Sequence, residues 1–315
     1  MPTRGRQLVE LALVFIIAFA LLIIGTTTYI GMVALLLVPT PFIYLARQHR
    51  LRERVIPVFL FILASLLLLG PLGAFAALFL GLLGTVMGHF YRNRNSGLPA
   101  VIAGAATVLG SFLLGLLLLT TVFGFDLAAE MNRAKEVVIN EGLRFPVSSP
   151  VTDDEWKKSV EQEFDMIQMI LPTYFVSSSI VFSVVVHWLS RWLLKLCKYT
   201  IPAMPPVREW KFPRSLLIYY FAAMLIMLLM GENMTGSFWE RAFLNLKVLL
   251  DIVFTIQGVS FCFFAFYLKR WRILGPLLVV FLFIFPLLTY ILSILGIFDL
   301  GLNFRKRLET RVKRS

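Results

Sequence analysis

Long apolar stretches alternate with short polar or basic ones along almost the whole chain. Apolar runs occupy 8–24, 29–46, 55–70, 72–90, 98–124, 171–194, 215–231, 242–268 and 273–298. At about 1.5 Å per helical residue, roughly 20 residues cross a hydrocarbon core of about 30 Å. The runs at 29–46 and 55–70 are short for this, and the others are long enough. Gly25 and Thr26–Thr28 mark the first turn, and Gly70-Pro71 separates the third run from the fourth, because proline has no N–H to give inside a helix. The predicted fold class is all-α: a polytopic transmembrane helical bundle of eight or nine spans with an extracytoplasmic helical hairpin.

The outer segment has readable helices. Thr152-Asp153-Asp154-Glu155 fits a capping box, in which the threonine oxygen takes one free N–H and the glutamate reaches back to another. Trp156, Val160, Phe164, Ile167 and Leu171 follow at helical spacing, so this helix is expected to run into the sixth span through Pro172. Leu127, Met131, Ala134 and Val138 predict a partner helix descending from the fifth span, with Pro146 and Pro150 at the turn between them. The expected organisation is a glycine-rich membrane bundle over 1–125, an acidic hairpin over 126–170, a second membrane bundle over 171–300 and a basic tail over 301–315.

Composition narrows the class further. Of 315 residues, 59% are hydrophobic and 15% charged, and the mean hydropathy is +0.83. Soluble chains are about half apolar and a quarter charged. An ordinary soluble enzyme, a disordered chain and a disulfide scaffold are therefore excluded. The two cysteines, Cys197 and Cys262, make no disulfide or metal framework.

The net charge of +12 is uneven. Ten acids and five bases lie between Asp126 and Asp165, so that segment is acidic and the remainder strongly basic. The bases sit in short clusters between runs rather than on one polar face, which is the pattern of loops beside anionic lipid, not of a nucleic-acid binder. Arg4 and Arg6, the group from Arg47 to Arg54, Arg92 and Arg94, the group from Arg191 to Arg214, and Lys269, Arg270 and Arg272 all fall on one side if the N-terminus is cytoplasmic. The acidic stretch then falls outside. Nine spans would place Arg305, Lys306, Arg307, Arg311, Lys313 and Arg314 outside as well, against the same rule. Either one run fails to cross, with Pro286 the place where the last one would bend back, or the tail is an exception. The Ala18-Phe19-Ala20 triplet resembles a signal-peptide cleavage site but lies in mid-run, so an uncleaved first span is expected.

Chemistry-bearing motifs are sparse. The sequence has no GxxxxGK[ST] loop, no HExxH and no paired CxxC, and His49, His89 and His187 are scattered. No catalytic, cofactor-binding or metal-binding residue is expected, and no enzymatic activity. Gly84 and Gly88 form a GxxxG pair, which allows close helix approach, either within the bundle or against a partner. Ionisable groups within lipid are costly and therefore functional suspects. Glu10, Asn245, Lys247, Asp251 and Gln257 make up the candidate intramembrane polar site. Lys247 and Asp251 share a helical face four residues apart and are expected to pair. An ion pair between Asp299 and Arg305 is expected at the end of the last run. The Pro-rich loop over 197–214 interleaves Trp210 and Phe212 with Arg208, Lys211 and Arg214, as suits a headgroup or partner surface.

Several segments in order resemble the YybS-like family of bacterial membrane proteins, found mainly in Firmicutes. They are Leu8-Val-Glu-Leu-Ala12, Pro39-Thr-Pro41, Pro205-Pro-Val-Arg-Glu-Trp-Lys-Phe-Pro213, Ile256-Gln-Gly-Val-Ser260, Leu295-Gly-Ile-Phe-Asp299 and Asn303-Phe-Arg305. The glycine-rich front half is also similar to the membrane substrate-binding subunits of energy-coupling-factor transporters. The resemblance implies a multi-pass protein of the cell membrane and carries no ligand, cofactor or catalytic residue. Two functions stay open: a transporter-like subunit binding a small solute between its helices, or a scaffold docking cytosolic or envelope partners through the 197–214 loop and basic tail. The first expects Asp251 and Gln257 to face an open polar cavity, the second expects neighbours to seal them.

Overall fold

A computed structural model describes residues 4–29, 31–49, 51–93, 96–144, 152–234, 236–271, 273–302, 304, 305, 308 and 310. Pro146, Pro150, Arg50, Arg94, Arg272, Asn303 and the tail bases Lys306, Arg307, Arg311, Lys313 and Arg314 lie outside the described residues. Among those described, every long element is α-helical: α1 (Arg4–Thr27), α2 (Gly31–Leu37), α3 (Pro39–Gln48), α4 (Leu51–Asn93), α5 (Leu98–Phe123), α6 (Leu127–Arg144), α7 (Asp153–Leu196), α8 (Ser215–Met230), α9 (Phe238–Leu268), α10 (Leu274–Ile284) and α11 (Leu287–Leu302). Six of these helical stretches are long and apolar enough to cross a membrane, and α8 and α11 are shorter apolar helices. Large side chains such as Leu67, Leu68, Leu228 and Ile273 stand exposed, as they would toward lipid. The chain divides into two compact units, Met1–Leu127 with Phe175–Met204, and Ala128–Tyr174 with Pro205–Ser315.

In the first unit, α4 is two helices joined at a sharp corner. Gly70 has φ 73° and ψ −168°, a conformation that needs glycine, and Pro71 follows it. The arms fold back on each other, so Gly81 lies beside Val58 and Phe61. The Gly84/Gly88 pair is the seam between α4 and α3. A Cβ at Gly84 would meet the Pro39 carbonyl and Phe42, and one at Gly88 would meet Ala46 and Ile43. The pair is thus used for packing within the chain, where close backbones gain dispersion contacts. Ile43, Leu83, Met87, Tyr91, Val101, Val108 and Val186 form the core beside that seam. Small hydroxyls tie it further: Ser183 Oγ donates to Val101 O at 2.8 Å, and Thr40 and Ser190 hydroxyls meet at 2.8 Å.

In the second unit, the capping box forms as its sequence dictates. Thr152 N–H donates to Glu155 Oε2 at 2.9 Å, and Glu155 N–H to Thr152 Oγ1 at 3.3 Å. The helix it starts runs 44 residues without a stop. Trp156 packs over Gly142 of α6. The α6 face differs from the expected stripe: Ala134 and Val138 are exposed, while Met131, Ile139 and Gly142 are partly covered. Gly142, which has no side chain to resist the indole, sets that rotation.

The last apolar run is not one helix. It breaks at Phe285 (φ −120°, ψ 88°) before Pro286, leaving α10 with 11 residues and α11 with 16. α10 is well short of the roughly 20 residues of a full crossing, and α11 matches α8 at 16. Partners along α9 and α11 advance together: Thr255 with Thr289, Gly258 with Leu292, Gln257 with Asp299, and Phe261 with Phe304. The two helices therefore run parallel. Between them α10 returns beside the end of α9, with Gly275 against Phe263. Close approach of α9 and α11 rests on glycine, since a Cβ at Gly258 would strike the Leu292 carbonyl and one at Gly296 the Phe254 carbonyl.

Candidate functional site

Prolines keep the 205–214 loop from becoming a helix, and Phe212 packs against the cluster of Tyr220, Leu250, Phe254 and Leu300. Its backbone is held by polar groups that α9 and Arg305 supply. Gln257, fully buried, accepts the Phe212 N–H at Oε1 (3.0 Å) and donates from Nε2 to Asp299 Oδ2 (2.6 Å). Arg305 Nε donates to the same carboxylate oxygen at 3.0 Å, Nη1 to Arg208 O at 2.8 Å and Nη2 to Ser260 Oγ at 2.9 Å. Ser260 Oγ in turn lies 2.6 Å from Val207 O and 2.8 Å from Trp210 O, so its single proton is shared between them. Trp210 Nε1 donates to Pro205 O at 2.8 Å across the 3-10 turn Val207–Glu209. Asp299 is only 1% exposed. A buried carboxylate of that kind persists because a guanidinium and an amide compensate it.

With its backbone pinned, the loop presents Lys211 and Arg214 outward. Trp210 and Phe212 are half-buried. Arg208 lies over the Tyr267 ring, with Cζ 3.9 Å from the centroid. A cleft of about 670 Å³ opens beside the loop, lined among others by Arg208, Phe263, Phe266, Tyr267, Arg270 and Trp271.

The five intramembrane polar candidates do not share one place. Lys247 Nζ and Asp251 Oδ2 meet at 2.9 Å, as their spacing requires. Tyr220 of α8 joins them, its hydroxyl 2.8 Å from Asp251 Oδ1. Both charged side chains keep about a third of their surface exposed, 35% and 31%. Asn245 serves a different purpose. It accepts the Thr173 N–H at Oδ1 (3.0 Å) and donates to Met169 O (2.6 Å). Those two groups pair with each other in an unbroken α-helix, and Pro172 lies between them. Asn245 thus braces α7 where proline weakens it. Gln257 belongs to the loop network and not to the Lys247–Asp251 pair.

Glu10 lies in the first unit, Oε2 3.4 Å from His49 Nε2, with Glu53 Oε2 3.3 Å from His49 Nδ1. Arg54 Nε and Arg92 Nη1 both donate to the His49 carbonyl, at 2.8 and 3.0 Å. This charged cluster at the ends of α1, α3 and α4 was signalled only by the basic residues clustered after the second run. Nearby, Arg47 donates to Thr200 O and lies 5.3 Å from the Tyr199 ring. Burial holds the Tyr199 phenol above its usual pKa, with Arg47 pulling the other way, so it stays a neutral hydroxyl. Among the described residues no three His, Cys, Asp or Glu side chains gather at metal-binding range.

The uncharacterized protein YybS of Bacillus subtilis (strain 168) is similar to this chain, 26% identical over 316 residues that cover 97% of the chain and 99% of the relative. No solved structure matches. Residues 14–300 match the family described as "Predicted membrane protein (DUF2232)", so the chain is a member of this YybS-like family of multi-pass membrane proteins.

Proposed function

We propose that this protein is a non-catalytic scaffold of the cell membrane that crosses eight times and docks a protein partner on its cytoplasmic 205–214 loop. The crossings are α1, the α2–α3 pair, the two arms of α4, α5, the second half of α7, α8 and α9. On this reading α10 and α11 are re-entrant: α10 starts back along α9, and α11 returns parallel to it. The chain then leaves α11 on the side of the 205–214 loop, where Arg305 holds Arg208 O. The loop and the α9–α10 turn carry Arg208, Lys211, Arg214, Lys269 and Arg270, so that side is assigned to the cytoplasm and the α6–α7 hairpin to the exterior. The N-terminus is cytoplasmic in the same register.

The observation that carries the docking reading is the closure of Gln257. It faces no open polar cavity. It is buried, and both ends of its amide are spent on the loop and on Asp299. Polar groups costly to bury are used here to fix a loop's backbone, on which Lys211 and Arg214 stand exposed and can face an acidic partner surface. Photo-crosslinkers placed at Lys211, Arg214 and lipid-facing Leu228 test this in native membranes. The expected result is one discrete protein adduct at 211 and 214, absent at 228 and lost when Arg305→Gln unties the loop. Lipid adducts alone, or the same pattern at all three positions, would contradict it.

A small-solute-binding reading is favoured by one observation, the partly exposed Lys247–Asp251 pair with the Tyr220 hydroxyl on it. It gains no support from Gln257. A solute recognised by that group would protect cysteines placed at Lys247 or Tyr220 from alkylation.

A further inference from the structure

Where α9 ends and α10 begins, the chain makes a turn that the docking reading does not use. Arg270 sits there at φ 60°, a left-handed conformation uncommon for a side-chain-bearing residue. Such strain persists where surrounding structure enforces it, and it clusters at binding sites. Lys269 Nζ lies over the Trp271 ring, 4.8 Å from its centroid. Across the turn stands Arg208, stacked on Tyr267, its Nε 3.8 Å from Glu209 Oε1, too far for a hydrogen bond. The cleft of about 670 Å³ lies between these groups, floored by Phe263, Phe266 and Pro276. That volume falls within the range of small-molecule sites. Beyond the floor, the α10 surface continues with exposed Leu277, Val280 and Phe281.

We infer that this cleft holds the phosphate of an anionic membrane lipid, with Arg208 and Arg270 binding the headgroup and an acyl chain lying along α10. A phosphate suits two guanidiniums, because each can offer paired N–H donors to its oxygens. Aromatic rings at the rim suit the level of lipid headgroups. The apolar floor running out onto an exposed apolar helix fits a ligand with a hydrocarbon tail and offers nothing to a free phosphate ester. The lipid site goes beyond the protein-docking reading and stands on separate side chains, since Lys211 and Arg214 do not line the cleft.

Native mass spectrometry of the full-length protein, released from detergent with added phosphatidylglycerol, phosphatidylcholine or glycerol phosphate, tests the assignment. One phosphatidylglycerol should stay bound, and neither phosphatidylcholine nor glycerol phosphate should displace it. Arg208→Gln with Arg270→Gln should weaken retention by about tenfold, as the loss of charge-assisted bonds predicts, while Lys211→Gln with Arg214→Gln leaves it unchanged. Equal retention of phosphatidylcholine, or an equal loss in both double variants, would overturn the site. Displacement by glycerol phosphate would overturn the lipid assignment. Should the first double variant fail to fold, quenching by dibrominated phosphatidylglycerol decides. Wild-type protein should be quenched more than Trp271→Phe, and equal quenching would overturn the site.

Discussion

Gln257 and Asp299 meet at 2.6 Å between two parallel helices, and through them the loop over 205–214 is tied to the end of α11. The contact is possible only because Gly258 and Gly296 let the backbones of α9 and α11 close on each other. Polar fixation of the loop and glycine packing of the helices are therefore one construction.

Asp299→Asn should destabilise the protein strongly. Arg305 would lose its countercharge in a buried setting, at a cost of about 3–5 kcal/mol. Thermal unfolding in detergent measures this. Asp299→Leu combined with Arg305→Met should recover much of the stability yet leave the loop untied, seen as faster proteolysis after Arg208 or Lys211. Full stability with unchanged proteolysis would mean that Arg305 does not hold the loop.

Asn245→Ala should cost about 1–3 kcal/mol, since Met169 O and Thr173 N–H lose the partner that replaces a helical bond. In a Pro172→Ala background the helix can pair those groups itself, and the cost should shrink. A double-mutant cycle on melting temperature reads the coupling. Additive effects would deny that Asn245 braces the proline.

Asp251→Asn should lower the melting temperature less than Asp299→Asn. Asp299 is sealed, whereas the Lys247–Asp251 pair is about a third exposed and lies in the first part of α9, from which a lysine chain can reach the headgroup level. The reverse order would place the Lys247–Asp251 pair deeper in low dielectric than α9 packing indicates.

Gly258→Ala should cost about 1–3 kcal/mol, because its methyl would overlap the Leu292 carbonyl. Gly110→Ala is the control. A Cβ there meets nothing within 4 Å, so the change should be neutral or mildly stabilising in a helix. Equal effects would separate the α9–α11 approach from stability.

Local chemistry was legible in the sequence, and long-range register was not. The Thr152–Glu155 box, the Gly70-Pro71 corner and the Lys247–Asp251 pair each depend on residues a few positions apart. The Asp299–Arg305 ion pair is local too, and it forms at 3.0 Å. By sequence Gln257 groups with Lys247 and Asp251 because all three lie on one helix, but its partners come from α11 and the loop. Only the glycine-set contact between α9 and α11 decides that. Pro286 marked the break in the last run, while the direction of α11 depended on which α9 residues it meets. Asn245 looked like part of a polar site for a similar reason: nothing in sequence links it to Pro172, 73 positions away. The cluster around His49 depends on three helix ends meeting, which no spacing encodes.

α10 and α11 together return the chain to the loop's side of the membrane, and this is the point on which the topology turns. Cysteines placed one at a time at Lys211, Leu308 and Trp239, in a protein whose Cys197 and Cys262 are replaced by serine, test it with a membrane-impermeant maleimide on intact cells. Positions 211 and 308 should both be protected until the membrane is opened, and 239, at the other end of α9, should be labelled from outside. Labelling of 308 in intact cells while 211 stays protected would contradict the account.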